Sequence, residues 1–293
     1  MKNRLGSGLW HLLAILTIVL WGTSFVSTKV LLIHGFSATL IFYLRFVFTY
    51  FFLLILSHDR IRSNSWRDEC KLFVCGLMMM CYFWFENTAL EHSTTSNVSL
   101  IVCTNPLMIL IVVSLMYDKE RLSCRQLLGT LLTFSGMVLV VLNGRFNLKI
   151  SPVGDCLALC ASLVWVVYSI RIRSLQGKYS TLFITRKIFF YSILSSLPVV
   201  MTDTREFPVE SVSETAVILN FLLLTLGSSL FGYVVWNAVL KNLGTVLASN
   251  YIYEIPLVTI LTAVVAIDEC ITPTALLGAF FIVGGMVLAE WKS

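Results

Sequence analysis

The stretch Asn87–Val140, NTALEHSTTSNVSLIVCTNPLMILIVVSLMYDKERLSCRQLLGTLLTFSGMVLV, is two apolar runs joined by a charged turn, and it returns about 150 residues later as Asn237–Ala289. In its last part, LLGTLLTFSGMVLV (127–140) aligns with LLGAFFIVGGMVLA (276–289) at seven of fourteen positions, with Gly129 over Gly278 and Gly136 over Gly285. Upstream, Asn87 falls over Asn237 and Pro106 over Pro256. One half of the chain is thus a second edition of the other, and the fold must be one that a duplication can build.

Working outward, the 293 residues are 57% hydrophobic and 13% charged. A soluble domain is about half apolar and a quarter charged, so this composition reads as an integral membrane protein. Apolar segments of roughly 20 residues cross a hydrocarbon core of about 30 Å as helices. Ten such spans are expected, at about 10–33, 38–56, 71–90, 95–117, 124–142, 152–174, 181–201, 214–240, 245–267 and 273–291. Only short connectors remain, with Pro152 and Pro273 at first helical turns, where a missing N–H costs little.

The net charge of +5 points to topology and not to a nucleic-acid partner, because of where the cations lie. With the N-terminus cytoplasmic, sixteen of the 21 Lys and Arg fall on that side, among them Arg60, Arg62, Arg67 and Lys71. Three (Arg145, Lys149 and Arg205) fall on the other, and Lys29 and Arg45 lie within spans. The positive-inside rule places both termini in the cytoplasm. An odd number of spans per copy then sets the second copy upside down. The expected fold is all-α, ten transmembrane helices in two inverted five-helix repeats, residues 1–146 and 147–293. The early spans carry the repeat more faintly: Trp21 lies over Trp165, and Arg45 over Lys187.

The residues WGTSFVSTK (21–29), the Asn87 block running into DKERLS, and the echo VVWNAVLKNLGTVLASNYIYEIPL (234–257) running into DECITP resemble the drug/metabolite transporter superfamily, in its ten-span EamA-type branch of small-metabolite exporters. The resemblance covers nearly the whole chain. It implies transport, often export, of amino acids and related metabolites across the inner (cytoplasmic) membrane. Glu254 departs from the family's pattern, in which the position before the span 9 proline is commonly apolar or amide.

Ionisable side chains in spans cost about 2.5–3.5 kcal/mol at a helix centre, so each needs a reason. Glu254 lies near the midplane on the face of Asn250, four residues earlier, and is the candidate proton carrier. Glu86, beside Asn87, suits an ammonium group or pairing with Arg45 or Lys29. Tyr233 and Asn237 share a face of span 8 with Trp236 alongside, and Trp21 and Trp165 are placed to line a cavity; aromatic and amide surfaces suit a small amphipathic metabolite. Asn87 and Asn237 serve equally well as hydrogen-bonding glue between helices. Arg45 and Lys187 are the candidate pathway cations. Pro106 and Pro256 interrupt two central helices and leave carbonyls near residues 102 and 252 without their usual donors, as hinges, ligands or plain kinks. The paired glycines of spans 5 and 10 read as close helix packing.

There is no GxxxxGK[ST] run, so ATP drive is not indicated. There is no GxSxG, no His-based metal motif and no Asp-rich cluster, and no cofactor or metal is expected. The eight cysteines lack CxxC spacing and read as small apolar packing residues. A secondary transporter working by alternating access is the leading reading. The alternatives are a non-transporting or channel-like membrane protein, and an intramembrane enzyme.

Overall fold

The computed structural model describes residues 7–57, 61–93, 95–116, 123–142, 151–258, 261 and 272–290. The DKERLS turn up to Leu122, the cations Arg60, Arg145 and Lys149, residues 262–267 of span 9 and Trp291 lie outside the described residues. Within them the chain is helical: α1 (Ser7–Ile33), α2 (Ala38–Leu56), α3 (Trp66–His92), α4 (Thr95–Val102), α5 (Asn105–Met116), α6 (Cys124–Leu142), α7 (Pro152–Gln176), α8 (Thr181–Thr202), α9 (Thr215–Leu222), α10 (Gly232–Leu243), α11 (Thr245–Asn250) and α12 (Pro273–Glu290). Among the described residues, six helical stretches are long and apolar enough to cross a membrane, and three shorter ones are also apolar.

The helix starts follow from local chemistry. Ser37, Ser65 and Ser180 each accept a hydrogen bond from the backbone N–H three residues on, at 3.0, 3.2 and 3.3 Å, satisfying a donor that the first turn leaves without an intrahelical partner. Before α6, Ser123 and Gln126 form a reciprocal capping box, with Gln126 N–H to Ser123 Oγ at 3.2 Å and Ser123 N–H to Gln126 Oε1 at 3.1 Å. Pro152 occupies the first turn of α7, where Asp155 accepts from the Ser151 N–H at 3.1 Å.

Two spans are broken, each just before its proline. Span 4 divides between Val102 and Asn105, ahead of Pro106, and span 9 tightens into a 3-10 turn at Tyr251–Glu254, ahead of Pro256. Proline lacks an N–H, so the carbonyl four residues back loses its usual helical donor. The carbonyl of Ile252 is taken up by the Ile255 N–H within the 3-10 turn and by the Cys103 thiol at 3.6 Å, so the two breaks meet.

A third irregularity was not foreseen. Leu223–Phe231, between α9 and α10, is a π-helix. Its altered pairing lets the carbonyl of Ser228 accept from the Trp21 indole N–H at 3.1 Å, and that of Thr225 from the Thr49 hydroxyl at 3.1 Å.

The helices pack on a large buried core, with a smaller cluster of Leu31, Phe36, Ile41, Val217 and Leu224 beside it. α3 lies along α7, and the segment 215–243 lies along α1; α2 packs on α8, and α6 on α12. In the last pair, a Cβ on Gly129 would fall 2.6 Å from the Gly285 carbonyl oxygen, and one on Gly136 would fall 2.5 Å from that of Gly278. Residue 129 meets 285 and residue 136 meets 278, so these two repeat-matched helices cross antiparallel with their backbones touching. Outside the core, Phe51, Ile55, Leu115 and Phe280 are exposed as large apolar groups, as lipid contact requires.

Polar contacts gather at both ends of the bundle. At the end holding the 57–66 and 176–181 connections, Asp68 accepts from Lys178 at 3.0 Å and from the Tyr179 hydroxyl at 2.9 Å. At the other end, Arg205 makes a bidentate pair with Glu91 at 2.8 and 2.9 Å, Ser37 donates to Asp203, and His34 lies 3.2 Å from Glu214. The pull of Glu91 holds the Arg205 guanidinium above its already high ordinary pKa.

Candidate substrate cavity

A cavity opens inside the bundle where α1, α2, α3, α7 and α10 face the two broken spans. Its lining includes Trp21, Ser24, Arg45, Tyr82, Phe83, Glu86, Asn105, Trp165 and Tyr233. The free space is about 30 Å³, enough for a water or two.

The walls are aromatic. Trp21 touches Trp165 edge-on at 5.7 Å, Tyr233 at 5.2 Å and Trp236 at 4.9 Å between ring centroids, and Tyr82 lies 4.9 Å from Trp165. Gly232 makes this possible, because a Cβ there would stand 2.8 Å from the Trp21 indole nitrogen. The π-helix carbonyl then fixes that nitrogen, and the Ser228 hydroxyl donates back to the Leu20 carbonyl at 2.8 Å.

Two opposite charges share this setting. Arg45 is only 3% exposed; its Nε donates to Ser229 Oγ on the π-helix, and its guanidinium lies 4.8 Å from the centre of the Phe83 ring. Glu86 is 7% exposed, and its Oε2 has no hydrogen-bond partner. Tyr82, one helical turn earlier, sits within reach of the same carboxyl, and the Arg45 charge acts on it across the cavity. No ion pair joins Arg45 and Glu86 among the described residues. The indole N–H of Trp165 is also buried without a partner. Buried polar atoms in native structures are almost always paired; here a free acceptor and a free donor line one cavity with a cation.

Of the expected residues, Trp21, Arg45, Glu86, Trp165 and Tyr233 line the cavity, and Trp236 backs it. Asn87 donates to the Ala38 carbonyl at 3.2 Å, tying α3 to α2. Asn237 accepts from the Tyr168 hydroxyl at 3.2 Å and donates to Thr185 Oγ1 at 2.9 Å, tying α10 to α7 and α8. Both amides therefore act between helices. Asn250 is buried with an unpartnered Oδ1, and Glu254 is half-buried at the end of the 3-10 turn; neither lines the cavity. Pro106 and Pro256 are buried directly after the two breaks.

Lys187 lines a separate cavity, of about 580 Å³, at the end of the bundle carrying the 61–66 segment. It pairs with Glu69 and lies 4.8 Å from the centre of the Tyr191 ring.

Sequence reasoning missed Ser24, Tyr82, Asn105 and Ser229. Tyr82 was findable from its i, i+4 spacing to Glu86. Asn105 directly precedes the break-forming Pro106; its side-chain oxygen accepts from Ser162 Oγ, and Thr104 contacts the same hydroxyl at 3.2 Å, pinning the break to α7.

A bundle of membrane-length helices around an aromatic-walled cavity that holds a buried cation and a buried carboxyl defines a multi-pass membrane protein with the build of a transporter. The comparisons make that definite: the EamA-like transporter family matches residues 8–142 and again 152–291, and the chain belongs to that family. It is similar to an uncharacterized transporter of Archaeoglobus fulgidus, 27% identical over 96% of this chain and 97% of the relative. A probable terminal-alkyne amino-acid exporter of Streptantibioticus cattleyicolor is 24% identical, covering 99% and 95%. A probable amino-acid metabolite efflux pump of Escherichia coli K12 is 22% identical, covering 94% and 93%. A solved crystal structure shares the fold, with a TM-score of 0.74 at 21% identity over 97% of this chain and 98% of that one.

Proposed function

We propose that the protein is a secondary transporter that exports a small amino acid or closely related zwitterionic metabolite through the central cavity. The observation that carries this reading is that Arg45 and the unpartnered Glu86 oxygen line one aromatic cavity without pairing with each other. A zwitterion offers a carboxylate for the guanidinium and an ammonium for the carboxylate. Its side chain meets Trp21, Trp165 and Tyr233, and the free Trp165 N–H adds a donor. The amino-acid exporters among the relatives support the same class.

Movement follows alternating access between residues 1–146 and 147–293 acting as inverted repeats. Support comes from the antiparallel crossing of α6 and α12, the matched packing of α3 on α7 and of 215–243 on α1, and the meeting of the two proline breaks. A small-molecule site commonly needs about 300 Å³ or more, so a cavity of about 30 Å³ must widen to take its load. The breaks before Pro106 and Pro256 are where the bundle can give. The distribution of Lys and Arg supports a cytoplasmic side for both termini at the cell membrane, and Glu254 is the group assigned to any proton coupling.

The test is a comparison of intracellular and extracellular metabolite pools with and without the protein, followed by counterflow of the best candidate in proteoliposomes. Saturable flux with counterflow supports the carrier. Flux that never saturates supports a channel instead, and conversion of the solute supports an enzyme.

A further inference from the structure

The larger cavity lies away from the central one, between the 61–66 segment and the adjoining parts of α3 and α8, and is lined by Arg62, Ser63, Trp66, Glu69, Lys187 and Tyr191, with Ile61 at its rim. Its one carboxylate is already occupied: Glu69 pairs with Lys187, accepts from the Tyr191 hydroxyl, and takes the Ser63 N–H at 3.1 Å. The lining therefore carries one surplus positive charge, since Lys187 is matched by Glu69 while Arg62 is exposed with no ion-pair partner among the described residues. The cavity suits an anion better than a zwitterion.

Its surroundings say which anion. Trp66 is 80% exposed on the rim, an amphipathic ring at a helix start, where tryptophans sit at headgroup level. The cavity also runs on to apolar surface: Tyr191 on its wall meets Phe73 edge-on at 5.5 Å, and the neighbouring Phe190 meets Tyr50 at 5.8 Å, with both phenylalanines exposed. A free phosphate has no use for exposed phenylalanine. A phospholipid does, because its acyl chains continue from the headgroup along α3 and α8.

We infer that this cavity is a site for the headgroup of an anionic glycerophospholipid, with the phosphate held by Arg62 and Lys187 and the glycerol end covered by Trp66. The site is independent of what the central cavity carries, and basic pockets at helix ends are the usual means of holding such lipids. Lys187 then serves twice, closing on Glu69 inside the bundle and presenting its remaining N–H groups to the cavity, so lipid bound there braces α8 against α3.

The experiment uses the full-length protein purified in detergent, with native mass spectrometry and thermal melting as readouts and three additions: phosphatidylglycerol, phosphatidylcholine and sodium phosphate. Phosphatidylglycerol is expected to be retained at one per chain in preference to phosphatidylcholine and to raise the melting temperature. Arg62→Gln, at an exposed position, is expected to weaken that retention about fivefold, the worth of one basic residue at a lipid surface, while leaving the lipid-free melting temperature unchanged. Trp66→Ala is expected to reduce retention without altering the preference. Equal retention of the two lipids, or full retention by Arg62→Gln, overturns the proposal. An equal rise in melting temperature with sodium phosphate alone overturns the lipid assignment in favour of a soluble anion.

Discussion

Glu86→Gln changes one atom and almost no volume, at a side chain that is 7% exposed and has one oxygen without a partner. The amide can still accept a hydrogen bond, so what is lost is the charge. Charge-assisted hydrogen bonds are roughly twice as strong as neutral ones, about 1.5–3 against about 0.5–1.5 kcal/mol. The difference is about 1–2 kcal/mol, or about five- to thirtyfold in the affinity for an ammonium group. Counterflow in proteoliposomes measures it, comparing an exported amino acid with the same compound lacking its amino group. The amino acid is expected to lose affinity by that factor, and the deaminated acid to be transported as well as before, or better. Equal losses for the two compounds would mean that Glu86 holds up the cavity wall and does not contact the solute, and no loss for either would remove it from the site.

The mirror experiment is Arg45→Gln, expected to impair amino acids and deaminated acids but to spare the decarboxylated amine in the same assay; Arg45→Lys should rescue only in part, because lysine lacks the planar fork that reaches Ser229 while lying on Phe83. Gly232→Ala places a carbon 2.8 Å from the Trp21 nitrogen and should cost its hydrogen bond to Ser228, about 1 kcal/mol; transport is expected to fall while the purified protein remains monodisperse on gel filtration. Gly136→Val drives a side chain against the backbone of Gly278 and should destabilise the chain by about 2–3 kcal/mol or more, read as a lowered melting temperature in detergent. Glu254→Gln is expected to abolish any dependence of flux on an imposed pH gradient, and an unchanged dependence removes Glu254 from coupling.

Much of the scaffold could be read from residues alone because lipid enforces a strict code. Each span must be largely apolar and satisfy its backbone within the bundle, so hydropathy and first-turn prolines located the helix starts at 38, 124, 152, 181 and 273. The repeat told which helices correspond, and the glycine spacing in spans 5 and 10 told that they approach closely. The site was legible in part. Trp21, Glu86, Trp165 and Tyr233 could be picked because a polar or bulky group in a span needs a reason. What periodicity could not tell was which neighbour would satisfy a given side chain: Asn87 and Asn237 look like Glu86 in sequence, yet each finds a partner on an adjacent helix and is spent there. The π-helix at Leu223–Phe231 was hidden for a different reason, since a single change of backbone pairing leaves the apolar pattern intact and shows only in the company of Gly227, Ser228 and Ser229.

The contracted cavity among Trp21, Arg45 and Glu86 has an electrical meaning. Moving one elementary charge across a membrane voltage is worth about 2.3 kcal/mol per 100 mV, so any continuous column of water through a protein dissipates the cell's stored energy. A space of about 30 Å³ walled by buried rings holds a droplet and not a column. At this size the central cavity offers ions no such column at that point in the bundle. If the chain carries the solute proposed above, each molecule must part these walls as it enters.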